Sequence, residues 1–214
     1  EDGIRDYKVT GVQTCALPIW LLQSLGHHVE VAHPAALNEA EFGDVFLAIV
    51  IAHIANDVAA LEKSFGVTLT TDDIEPGNHL LAQFGNATTA VAYLSAVSWV
   101  HAWTRRVVSW WLPRDGKQGF DVLVTPTLAG PPPKIGALSG DDSTDRIREI
   151  MQYTAQFNMT GQPAISLPLH TSASGLPMGV QFVGAPYRED LLIRLAAQIE
   201  AAAPWSSRRP AVHA

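Results

Sequence analysis

The side chains best suited to acid–base or metal chemistry at neutral pH are the eight histidines, and they are scattered: His27, His28, His33, His53, His79, His101, His170 and His213. None stands in an HExxH or comparable metal spacing. His27, His28 and His33 are close in sequence, but they flank a strand candidate without a cysteine or a paired carboxylate beside them, so a metal site there is the weaker reading. No GxSxG elbow, GxGxxG turn or GxxxxGK[ST] loop is present. The adjacent pairs Asp72-Asp73 and Asp141-Asp142 read as solvated turns or helix-start charges. Lysines stand only at positions 8, 63, 117 and 134, and Lys134 in PPPKIG reads as a loop charge. The only Ser-Ser pair, Ser206-Ser207, lies between Trp205 and Arg208 with no glycines around it. From residue types and spacing alone, no catalytic residue can be named.

Composition bounds the rest. The 214 residues are 47% hydrophobic and 16% charged, which argues for a packed chain and against disorder. A net charge of −7 argues against a nucleic-acid surface. One cysteine excludes an internal disulfide framework and a cysteine-rich zinc site. The longest apolar run, Val45 to Ile54, is broken by His53 and fits a buried helix rather than a bilayer span. The expectation is a soluble, cytoplasmic protein with no membrane partner.

The N-terminus reads differently from the rest. Val9 to Ile19, VTGVQTCALPI, is the translation of a string resembling a common short-read sequencing adapter, and residues 1–19 are expected to be adapter-derived. Glu1-Asp2 and the polar Gln13-Thr14 argue against a signal peptide. Cys15 falls in this segment and is not read as a nucleophile.

From Trp20 the expected elements alternate. Leu21, Leu22 and Leu25 end a helix that stops at Gly26, and His28 to Ala32 forms a short strand before Pro34. Asn38 caps a helix carrying Phe46, Ile49, Val50, Ile54, Val58 and Leu61 at helical spacing, with Glu39 and Glu41 in its first turn. A loop runs through Thr70 to Asp73 and Pro76-Gly77. A second helix spans about Thr89 to Trp111, with Tyr93, Val97, Val100, Thr104, Val107 and Trp111 on one stripe and Arg105 and Arg106 solvated. Trp103, Trp110 and Trp111 read as core or rim packing. Phe120 to Val124 is a strand, the proline-rich stretch Pro131 to Lys134 a loop, and Asp145 to Phe157 a single helix. Strands Ala164 to Leu167 and Met178 to Val183 flank a turn at Gly175. Arg188 to Ala203 closes as an amphipathic helix with Leu191, Leu192, Leu195 and Ile199 inward. Short apolar strands alternating with helices predict an α/β fold, its sheet covered on both faces.

Several stretches, in order, resemble the C-terminal part of the amidase signature family. They are FDVLVTPTL (Phe120 to Leu128), TAQFNMTGQPAISLP (Thr154 to Pro168) and GLPMGVQFVG (Gly175 to Gly184), leading into EDLLIRLAAQIE and the PWSSRRP tail. LGHHVEVAHP is similar to the family's element that follows its active-site half, and IEPGNHLLAQFG looks most like bacterial amidases akin to 6-aminohexanoate cyclic-dimer hydrolase. The resemblance covers residues 20–214 and implies a mixed β-sheet covered by helices on both faces. It also implies amide hydrolysis by a serine nucleophile, a second serine in a cis peptide and a lysine base, with no metal or organic cofactor and a small-molecule amide as substrate. A homodimer of the full-length enzyme stays open.

The Gly-Gly-Ser-Ser-Gly-Gly segment of the family is absent. Residues 20–214 are therefore expected to be a C-terminal part lacking the catalytic half, inactive and poorly soluble alone, and no catalytic residue carries over. The resemblance places the TAQFNMTGQP turn against the acyl part of the substrate, making Thr154, Phe157 and Asn158 the candidate substrate-binding residues. Helix packing for Thr154 and Phe157, and helix capping for Asn158, are the competing readings. Gly161 and Pro163 are expected to shape the turn before the strand. Two other readings remain: a transamidase subunit acting on aminoacyl-tRNA beside an ammonia-delivering partner, and a shortened non-catalytic binding module.

Overall fold

The computed structural model describes residues 11–113, 116, 119–138 and 143–209, which fall into two compact units. Of the adapter-like segment, residues 1–10 lie outside the described residues, as do Asp141-Asp142 and His213.

The first unit comprises the described parts of 1–33 and 108–214 and is built on a sheet. Strands β1 (Val122–Pro126), β2 (Ala164–Thr171) and β3 (Pro177–Gly184) pair antiparallel in the order β1-β3-β2. Val124 and Ile165 both face Phe182 in register, and Thr125 and Ser166 both face Gln181. Side chains alternate across a sheet, so each such row lies on one face. One face carries Leu167, Val180 and Phe182, which pack with Leu22 of α1 (Gly11–Ser24) and with Leu192 and Ile199 of α7 (Glu189–Ala202). Both helices lie against the sheet. Phe182, Val180 and Ile199 are fully buried, so this cluster is the core of the unit. The closing helix and the turn at Gly175 form as the sequence predicts.

The second unit, Pro34–Val107, is helical. A short 3-10 turn, Ala35–Asn38, precedes α2 (Phe42–Phe65), which is followed by α3 (Pro76–Asn86) and α4 (Ala90–Val108). Trp103 is its centre: the ring is wholly buried, stacks on Phe42 at 4.6 Å and on Trp99 at 5.9 Å, and its Nε1 donates to the Ala36 carbonyl at 2.8 Å. At Gly85 α3 comes so close to α2 that a Cβ would stand 2.0 Å from the Ile51 carbonyl oxygen.

Four expectations change. His28 to Ala32 forms no strand, and Val31 is fully exposed; a strand needs a neighbour's hydrogen bonds, and no described segment supplies them. Asn38 does not cap α2, because it closes the 3-10 turn and α2 begins four residues later. Pro76-Gly77 opens α3 rather than a loop, since proline suits the first helical turn, where its missing N–H would go unused. The single helix over Asp145 to Phe157 is two, α5 (Ser143–Met151) and α6 (Ala155–Thr160).

The α2 expectation changes in degree. Of its large apolar residues only Ile49 is buried, while Phe46, Val50, Ile54 and Val58 are half-buried and Leu61 is exposed. By length and composition alone α2 is long and apolar enough to cross a membrane; such helices also occur in the cores of soluble proteins. The unbroken-run count over Val45 to Ile54 misses this because alanines extend the apolar character beyond it.

Candidate functional site

The turn predicted to meet the substrate is placed by a break between α5 and α6. In a continuous helix the Phe157 N–H would donate to the Tyr153 carbonyl, four residues back. Instead it donates to Thr154 at 3.1 Å. The break therefore releases the carbonyls of exposed Gln152 and half-buried Tyr153 from the helical ladder and leaves them open to other donors. Two side-chain amides provide them. The Gln156 Nε2 donates to the Gln152 carbonyl, and the Gln181 Nε2 donates to the Tyr153 carbonyl at 2.6 Å.

Gln181 sits on the sheet face opposite the Phe182 core, in one row with Thr125 and Ser166, and is only 5% exposed. Its Nε2 also donates to Thr125 Oγ1 at 3.1 Å. Two residues along β3, Gly179 leaves room for a hydroxyl pair between Thr127, just past β1, and Ser166 of β2, with Oγ1 and Oγ 2.6 Å apart. A Cβ at Gly179 would stand 2.5 Å from the serine oxygen and 2.7 Å from the threonine oxygen. This face is thus a floor of hydroxyls and a carboxamide, with the Tyr153 carbonyl held against it.

Thr154 stands at the N-cap of α6 but makes no side-chain cap bond. Its Oγ1 approaches the Met151 carbonyl at 3.5 Å, the outer limit of a hydrogen bond, so its bonding capacity is largely unused among the described residues. Asn158 is exposed, whereas Phe157 is 5% exposed and packs inward beneath the turn. Hence the three candidates share one short helix yet split in direction. Gly161 ends α6 at φ +67°, and its N–H donates to the Phe157 carbonyl at 3.0 Å. Gln162 and Pro163 then fasten the turn to the end of β3: the Gln162 Nε2 donates to the Gly184 carbonyl at 2.8 Å, and the Gly184 N–H to the Pro163 carbonyl at 3.0 Å. Gly161 and Pro163 shape this turn as the sequence predicts.

No group of three or more His, Cys, Asp or Glu that could hold a metal occurs among the described residues. A hydrogen bond from Arg188 holds Asp190 below its ordinary range at the start of α7, and one from Arg106 does the same for Glu39 in the second unit. What the turn offers is neutral hydrogen bonding over a rigid floor, suited to positioning an uncharged polar group rather than to acid–base work. Sequence reasoning missed Gln181, Thr125, Thr127 and Ser166. The signal was present in VTPT and GVQF, where a polar residue interrupts an otherwise apolar strand.

The family model described as Amidase matches residues 18–193. The chain belongs to the amidase family. It is 36% identical over 199 residues to the 6-aminohexanoate-cyclic-dimer hydrolases of Pseudomonas sp. (strain NK87) and of Paenarthrobacter ureafaciens. Each alignment takes in 88% of this chain and 39% of the relative, so the chain spans about two fifths of the length of these relatives. A solved structure of 6-aminohexanoate cyclic dimer hydrolase superimposes with a TM-score of 0.81 at 35% identity, over 90% of this chain and 41% of that one. A Kluyveromyces lactis allophanate hydrolase structure, at 15% identity and a TM-score of 0.73, shares the fold. The α/β architecture of this amidase chain is therefore that found in amidase signature enzymes.

Proposed function

We propose that this chain is the C-terminal part of an amidase that hydrolyses amide bonds of small molecules through an acyl-enzyme, and that it carries one wall of the acyl pocket. The observation that carries this reading is the family match over residues 18–193, combined with the absence of a Gly/Ser-rich Ser-Ser segment. The nucleophilic serine, the bridging serine and the lysine base belong to the part of the relatives that this chain does not span. There the neutral lysine takes a proton through the bridging serine as the nucleophile attacks the carbonyl carbon, and backbone N–H groups hold the oxyanion. The C–N bond then breaks, the amine leaves with a proton, and water releases the acid.

On this reading Thr154 and Asn158 present their hydroxyl and carboxamide to the acyl portion, and Phe157 backs them from below. The net charge of −7 supports a small-molecule substrate over a nucleic acid.

The test joins residues 20–214 to the N-terminal part of the Pseudomonas hydrolase that the chain does not match. Each is assayed against simple amides and the 6-aminohexanoate cyclic dimer. The 214-residue chain alone is expected to be inactive and the chimera active. A folded chimera that hydrolyses no amide would overturn the amidase reading, and activity in the chain alone would overturn the placement of the nucleophile. Reading the genomic DNA upstream of Trp20 checks the same point independently: a frame continuing into a Ser-Ser segment supports it, and a start codon there opposes it.

A further inference from the structure

We propose that Gln181 is a positioning residue for the acyl side of the site: its carboxamide, rather than the helix, holds the Tyr153 carbonyl and thereby sets where Thr154 and Asn158 are presented. This rests on the reading of that turn as pocket wall. Three observations carry it. The Tyr153 carbonyl has lost its helical donor, because the Phe157 N–H goes to Thr154. Gln181 replaces that donor at 2.6 Å from a central strand whose next residue, Phe182, is fully buried in the core. The second bond, to Thr125 Oγ1 on the neighbouring strand, fixes the carboxamide plane, so both protons of the amide are directed.

The consequence is a rigid lever. Thr154 is the residue immediately after the clamped carbonyl, and its hydroxyl is left without a cap bond to hold it. A turn whose helix is interrupted would ordinarily open easily, since its amides lose cooperative support. Here a buried side chain ties its start to the central strand of the sheet, as Gln162 and Pro163 tie its end. Gln181 touches neither the reacting atoms nor, on this geometry, the substrate, and it acts only through the turn.

The test uses Gln181→Met, which keeps length and packing but has no N–H, and Gln181→Glu, which keeps the shape but as a carboxylate only accepts. Hydrogen exchange is followed in the 214-residue chain and in the chimera, alongside KM and kcat of the chimera. Both variants are expected to speed exchange of peptide 152–160 by about tenfold or more, leaving 122–126 and 189–202 within about twofold. In the chimera KM is expected to rise about tenfold with kcat nearly unchanged. Exchange that stays unchanged in 152–160, or rises equally in strands and turn, would overturn the proposal. A local rise in exchange with KM unmoved would leave Gln181 as the clamp and remove the pocket reading, so the two failures are separable.

Discussion

The two units solve the problem of burying apolar surface in different ways. In the first, three strands bring Val124, Phe182 and Ile165 into one row, and two helices cover it, so that distant parts of the chain share one dry core. In the second, burial is concentrated on one tryptophan and on a close helix crossing at Gly85. Its helices leave Phe65, Leu80, Phe84, Val91 and Leu94 half or more exposed. A sheet collects many partial contacts into a cooperative layer, whereas a helical unit built on few contacts depends heavily on each of them. The candidate site sits on the sheet-based unit, where a short helix break can be held still.

The largest effect that would sharpen this contrast comes from the sheet core. Phe182→Ala removes a fully buried ring and is expected to destabilise by about 3–5 kcal/mol, read as the shift of a urea transition. A loss under about 1 kcal/mol would show that the layer is not the core inferred here. In the helical unit, Trp103→Phe keeps an aromatic ring but removes packed volume and the indole donor to the Ala36 carbonyl, which keeps only the Glu39 N–H at 3.2 Å. The expected loss is about 1–3 kcal/mol, visible in helical circular dichroism on heating; a neutral substitution would remove the dependence on this one residue.

The next effect concerns solubility rather than stability. Leu80 and Phe84 are one turn apart on α3 and both half-exposed. Leu80→Gln with Phe84→Gln should change stability by less than about 0.5 kcal/mol per site yet reduce self-association in light scattering. If association persists, the Leu80–Phe84 patch is not its cause.

The smallest effect is electrostatic. Arg106 Nε donates to Glu39 Oε1 at 2.8 Å, and this hydrogen bond lowers the Glu39 pKa from its ordinary 4.5. A lowered folded-state pKa means that the stabilisation is present at neutral pH and lost as pH falls below about 4.5 through the folded-state value. Glu39→Gln should therefore weaken the protein slightly at neutral pH and flatten its acid limb. Because both partners are partly exposed, high salt should erase the difference. A difference that survives high salt would indicate a buried role for the pair.

The local rules in the chain determined a good deal by themselves. Helical spacing marked α2, α4 and α7, apolar runs marked all three strands, and an ordered set of motifs carried the family. The Gly161-Pro163 turn was legible because glycine's positive φ and proline's fixed φ act on the backbone directly. Other features depended on partners far away in sequence. Whether His28 to Ala32 becomes a strand turns on having a neighbour to pair with, and spacing does not reveal one. The helical period runs unbroken from Asp145 to Phe157, and nothing in it shows that Gln181, 28 residues beyond Tyr153, takes over that carbonyl. Phe157 and Asn158 are adjacent on α6 and so point in different directions, but the spacing does not say which of the two meets the core and which the solvent. Spacing along a chain specifies which face a residue occupies, but only the packed neighbours specify what that face meets, because hydrogen bonding and burial are settled between segments and not within them.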